Sequence, residues 1–211
     1  MATASPTNLN QNRYGDFLLT DAVRLGQTRP IVPVEGYRIS RFRDAETRLC
    51  LPVLGAAVSA EKLFDVFLEL LKPLGESVHA ILETSHGGPG DYHDDLHRGE
   101  IDLPVLMSHF CDFEDLLTHD GCTGVAVLAD GGRPIEVQFD EHKLFHIYAP
   151  DLRPFRRVLK GLGLRRRKVL PLISEAEHLH HSTDDRADEF RQLCMRVGVG
   201  DFDRVFSDES W

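Results

Sequence analysis

No two of the four cysteines form a CxxC pair. Cys50, Cys111, Cys122 and Cys194 are spaced for neither a zinc finger nor a disulfide framework. Four reduced thiols are the expectation, and with them a cytoplasmic location. A long hydrophobic run is also missing. The uncharged stretch from Leu49 to Ala60 falls well short of the ~20 residues that span a bilayer. The segment from Met1 to Arg13 has no apolar core of the kind a signal peptide needs, so neither export nor a membrane partner is expected. Positive charge is in deficit, with 24 basic against 34 acidic residues and a net charge of −10. Such a chain repels nucleic acid on average, and none is expected as a partner. There is no H-E-x-x-H. Gly87-Gly88-Pro89-Gly90 lacks the lysine of a phosphate-binding loop and the G-x-G-x-x-G spacing, which excludes both nucleotide signatures. Cys111 and Cys122 sit in no nucleophile motif.

What is present is a chain of 211 residues, 42% apolar, long enough to bury a core without disulfides or metal. We read residues 1–13 as a loose arm, 14–198 as a single α+β domain, and 199–211 as an acidic tail. Asp16–Leu25 suggests a short helix. Tyr37–Phe42 and Thr47–Val53 read as strands. Ser59 reads as the N-cap of a helix that turns Leu63, Phe67, Leu70, Leu71 and Leu74 inward and stops at Gly75. Val78–Glu83 reads as a strand, 84–99 as a polar loop, and Asp102–Thr118 as a helix. A meander follows over Thr123–Ala129, Ile135–Phe139 and Leu144–Tyr148, with Asp140-Glu141-His142 as one of its turns. Asp151 caps a helix that buries Phe155 and Leu159. Val169–Ile173 reads as a strand and Asp184–Val197 as the last helix. Together these predict a mixed β-sheet with helices packed on it.

The element order suggests an internal duplication of a ββαβα unit, with pseudo-repeats over 37–118 and 135–197. Both halves carry Glu-x-x-His directly after an expected buried strand: Glu83 with His86, and Glu175 with His178. Six of the 11 histidines fall in two polar segments, His86, His93 and His97 in one and His178, His180 and His181 in the other. Imidazole and carboxylate together suit zinc, iron or manganese. The candidate ligands are therefore Glu83, His86, His93, His97, Glu175 and His178, which must converge if a divalent ion is to be held. A second candidate is a basic patch. Arg153, Arg156, Arg157 and Lys160 follow i, i+3, i+4, i+7 and share one helical face, suited to a small anion or an acidic protein partner. The alternative for these cations is a solvated helix face that pairs with the acidic segment from Asp184 to Glu189. With no catalytic motif, the leading expectation is a non-catalytic binding or interaction domain. The alternative is a metal-dependent hydrolase built from the histidine segments.

Overall fold

Alternation of apolar and polar residues in the long strands decides the architecture. In the computed structural model, which describes residues 11–26, 31–43, 50–86, 93–131 and 135–199, the chain opens with three short strands, β1 (Arg13–Tyr14), β2 (Phe17–Leu18) and β3 (Val23–Leu25). The expected helix at 16–25 is absent. Phe17, Val23 and Leu25 are all buried, and the period-two pattern Val23-Arg24-Leu25 suits a strand with one buried face. A hairpin of β4 (Gly36–Arg43) and β5 (Cys50–Ala57) follows, then α1 (Leu63–Leu71), β6 (Ser77–Thr84) and β7 (Asp94–Asp102). Next come α2 (Leu103–Asp112), α3 (Glu114–His119), β8 (Thr123–Ala129), β9 (Glu136–Phe139) and β10 (Phe145–Tyr148). The chain ends with α4 (Arg153–Gly161), β11 (His178–His180) and α5 (Asp184–Val197). The fold is α+β, as expected. No helix among the described residues is long and apolar enough to cross a membrane.

Seven strands form one sheet in the order β4-β5-β10-β9-β8-β6-β7, and neighbouring strands run antiparallel. A parallel bridge between Tyr37 and Arg166 adds to its β4 edge. One face is covered by helices. In β6, Val78, Ala80, Leu82 and Thr84 are buried, while Ser77, His79, Ile81 and Glu83 on the other face are only half-buried. The same inward face gathers Leu54, Val125, Val127, Val137, Phe139, Phe145 and Ile147 into the main core. At its centre Phe67 of α1 lies 4.9 Å from Phe139, 5.4 Å from Phe110 and 6.3 Å from Phe145, ring centre to ring centre. The expected core residues Leu63, Phe67, Leu70, Leu71, Phe155 and Leu159 are all buried.

The outer face is covered at one end. A second core joins Phe17, Val23 and Leu25 to Leu144, Leu170, Leu172, Ile173 and Ala176. Residues 164–177 thus run across the sheet beside the N-terminal strands, and β11 pairs with β3.

Several expectations change. The expected strand 169–173 is extended but unpaired chain leading into a single 3-10 turn, Ile173–Glu175. Its apolar residues, Leu170, Leu172 and Ile173, bury themselves against the outer face rather than joining the central sheet. The second half therefore has no counterpart of β6 in that sheet, and the duplication is not supported. The expected loop 84–99 is strand from Asp94 onward, because Leu96 alternates inward at the sheet edge. The second strand of the hairpin starts at Cys50 rather than Thr47, and residues 44–49 lie outside the described residues. The helix expected over 102–118 breaks at Phe113, where the backbone leaves helical geometry. Ser59 does not cap α1; its hydroxyl instead accepts the Leu18 N–H at 3.0 Å, tying β2 to the main body. Of the expected arm, residues 1–10 lie outside the described residues, as do residues 200–211 of the expected tail.

Candidate metal centre

Three imidazoles meet where the β9–β10 turn faces β11. His142 sits in the turn, with Lys143 beside it at a φ of 61°. His178 and His180 are two apart on β11, so strand alternation puts both rings on one face. The ring centres of His142, His178 and His180 are 4.6, 4.8 and 5.0 Å apart. One ligand atom from each lies within 4.8 Å of the others. Glycine permits the approach: a side chain on Gly121 would meet the Ala22 carbonyl at 2.3 Å and the His181 amide nitrogen at 2.8 Å. The start of β8 can therefore lie directly against β3 and β11.

The hydrogen bonds fix the tautomers. His178 Nδ1 is 2.8 Å from the Ala176 carbonyl oxygen, and His180 Nδ1 is 2.6 Å from the Gly121 carbonyl oxygen. A carbonyl only accepts, so both Nδ1 atoms donate. His142 Nδ1 is 3.2 Å from Asp140 Oδ2. Burial alone would push the Asp140 carboxyl up, but His142 and His146 outweigh it and hold the group well below the ordinary carboxylate range. The carboxylate is ionised and accepts from His142 Nδ1. In the neutral rings, all three Nε2 lone pairs then remain free. His142 Nε2 and His178 Nε2 lie 3.0 Å apart. Two lone pairs at that distance repel unless a proton or a metal ion lies between them.

The surroundings are acidic. Glu141 Oε1 is 3.9 Å from His180 Nε2 and 3.9 Å from His93 Nε2. His146 Nε2 is 3.4 Å from Asp140 Oδ2. Burial holds His180 below the ordinary imidazole value, and His142 and His178 push it the same way. For His142, burial pulls down but the Asp140 carboxylate wins, raising it. Lys143 runs beneath the centre. Burial draws its ammonium down to about 8, and Nζ donates to the Thr123 carbonyl at 2.7 Å.

The sequence candidates divide. His178 belongs to the centre, and His93 stands beside it through Glu141. His86 does not join it. It forms a separate cluster with Asp120 and Cys122, in which His86 Nε2 donates to Asp120 Oδ2 at 2.8 Å. Thr123 Oγ1 donates to the same oxygen at 2.5 Å. Glu83 accepts from Gln138 Nε2 at 3.0 Å on the outer face, and burial raises its pKa. His97 is exposed on the edge strand β7. Glu175 is held by Arg38, with one bond at 3.1 Å. The missed residues are Asp140, Glu141 and His142, read only as a turn, and His180, counted in its histidine segment but left out of the ligand set. Their signal was a histidine flanked by two carboxylates in a hairpin turn, together with His-x-His on a strand. Burial pushes the Cys122 thiol up, away from the reactive thiolate form.

The basic face also stands apart from its expected partners. Two acids of α5 pair within their own helix: Glu189 with Arg186 and Asp188 with Arg191. Arg153 pairs with Asp151. Comparison with protein-family models, with curated proteins and with solved structures finds no match.

Proposed function

We propose that the protein is a metal-dependent hydrolase whose ion is held by Nε2 of His142, His178 and His180. The observation that supports this reading is the gathering of three imidazoles, each with its Nδ1 donating to oxygen. Metal-bound histidines characteristically have this arrangement, because the outer hydrogen bond fixes the tautomer and raises ligand basicity. A tetrahedral ion with bonds of about 2.0–2.1 Å needs its nitrogens roughly 3.3 Å apart. The 3.0 Å between His142 and His178 is close to that, and bringing His180 in asks for little side-chain movement. Three neutral imidazoles favour zinc over manganese, whose preference is for oxygen. A catalytic zinc keeps a fourth position open for water, whose pKa it lowers. Glu141, between His180 and His93, is the residue to take the proton from that water. A reducing cytoplasm, where the four free thiols persist, is the compartment this reading fits.

The test is metal analysis followed by activity. Protein purified without chelator should carry about one equivalent of zinc, and hydrolysis of an activated ester should vanish in His180→Ala. If wild type and the His142→Ala, His178→Ala and His180→Ala variants all take up zinc equally weakly, the reading fails. The exposed basic face of α4 favours a second reading, an interaction domain for an acidic protein. Arg156, Arg157 and Lys160 have no ion-pair partner among the described residues. Charge reversal at Arg156 and Arg157 should abolish capture of an acidic partner while leaving zinc content unchanged.

A further inference from the structure

The outer face of the sheet is left open at the end away from the histidine centre. There a hollow of about 270 Å³ is lined by Phe42, Leu51, Leu128, Ile135, Glu136, Gln138 and Tyr148. The register explains its chemistry. Leu128 of β8, Glu136 of β9, Tyr148 of β10 and Val53 of β5 stand directly opposite one another across four strands. Glu136 therefore rises from the floor between an aliphatic and an aromatic wall. Phe42 meets Tyr148 edge-on, ring centres 5.7 Å apart with planes at 89°, so two aromatic rings meet at an angle beside the carboxylate.

Glu136 is the odd member of this hollow. It is half-buried, yet it has neither hydrogen bond nor ion pair among the described residues, while its neighbour Glu83 is satisfied by Gln138. Glu83 on the same face adds further negative charge, and His79 stands across Leu128 from Glu136 in the register. Burial raises the Glu136 carboxyl, the behaviour of a carboxylate removed from water without a cation. Two aromatic rings and an unpartnered carboxylate around an apolar floor form the chemistry that recognises an organic cation. The rings attract it through their electron-rich faces and the carboxylate through its charge.

We propose that this hollow binds an organic ammonium ion with an apolar body. The ammonium lies between Glu136 and the Phe42–Tyr148 pair, and the apolar part rests on Leu51, Leu128 and Ile135. Anions are rejected by Glu136. The site does not depend on the histidine centre, so it stands or falls separately from the hydrolase reading.

Benzyltrimethylammonium, benzyl alcohol and benzoate share a ring and differ in charge. Titrated into the full chain and followed by ligand-observed NMR, the ammonium should bind at least about tenfold more tightly than the alcohol, and benzoate should not bind. Glu136→Gln should weaken the ammonium about tenfold and leave the alcohol unchanged. Leu128→Trp, which fills the hollow, should abolish both, and Ile135→Trp serves the same purpose should Leu128→Trp fail to fold. The results should be identical with zinc and after chelation. Three probes bound alike, no binding at millimolar concentration, or an unchanged ammonium preference in Glu136→Gln would each overturn the proposal.

Discussion

The two histidine clusters use the same residue types to opposite ends. Around His86 every imidazole and hydroxyl hydrogen points at an acceptor: Nε2–H and the Thr123 hydroxyl both go to Asp120, and the ring rests against Phe190 at 5.8 Å between centres. Burial alone would raise Asp120, but His86, Ser182 and Thr123 together outweigh it and keep the carboxyl low. Around His142 the Nδ1 hydrogens point to Asp140, Ala176 and Gly121, and the Nε2 atoms of His142 and His178 are left facing each other. In the first cluster the donors are matched, although Asp120 Oδ1 is buried without a hydrogen-bond partner; in the second, the Nε2 atoms of His142 and His178 face each other at 3.0 Å and need a proton or an ion between them. Proximity of histidines and carboxylates therefore says little by itself. The direction in which each ring nitrogen donates separates a buried polar network from a metal site.

The largest expected effect lies in the first cluster. Asp120→Ala leaves the His86 and Thr123 donors unpaired and takes a carboxylate from the neighbourhood of buried Lys143. Breaking a buried charged network of this kind costs on the order of 3–5 kcal/mol. Urea denaturation should show that loss while the folded fraction still binds zinc with wild-type stoichiometry. A loss under about 1 kcal/mol would put the cluster in the same class as exposed pairs and erase the contrast.

The second effect inverts the first. His178→Ala or His180→Ala should change the stability of the metal-free protein by less than about 1 kcal/mol, because each removes a lone pair that repels its neighbours. Zinc affinity should fall by more than about 100-fold, beyond the loss usual for an outer hydrogen-bond partner. Calorimetric titration of zinc into each variant, beside thermal melts without metal, separates the two quantities. A large stability loss with unchanged zinc affinity would make this cluster a second structural network.

The third effect sits between them. Asp140→Asn keeps the shape and removes the charge behind His142, so zinc affinity should fall about 10- to 100-fold. The same titration checks it, and an unchanged affinity would mean that Asp140 does not orient His142.

Much of the fold was legible because periodicity is local. The β6 alternation, the α1 stripe around Phe67 and the boundaries of α5 are each written within one element and need no partner to be read. The centre was less legible because it joins a turn near 142 to a strand near 179, and no pattern in either segment specifies the pairing of β11 with β3. The Glu-x-x-His match misled for a related reason. It assumed a strand at 169–173, whereas those residues bury their apolar side chains on the outer face of the sheet without joining it. The match drew attention to His178, but the ring beside it is His180, two residues on and 5.0 Å away, while Glu175, three residues back, is held by Arg38.

Glu175 supplies the smallest effect and the sharpest check on that correction. Its carboxylate is bound by the Arg38 guanidinium, which also donates to the Leu170 carbonyl at 3.0 Å. The Arg38 hydrogen bond lowers its pKa. A carboxyl depressed in the folded state contributes stability above its unfolded value, about 4.3, and loses it as the pH falls through the folded value. Both side chains are substantially exposed, 32% for Arg38 and 49% for Glu175, so solvent screening limits the pair to less than about 1 kcal/mol. Glu175→Gln should therefore lower stability by that small amount at neutral pH and converge with wild type in acid. Zinc affinity should not change. If it fell with the histidine variants, Glu175 would have to swing from Arg38 to the ion, and the ligand set would extend across the 3-10 turn as the sequence first suggested. If only the small, pH-dependent stability term changed, Glu175 would be a strut that holds residues 164–177 on the sheet and keeps β11 in register with β3.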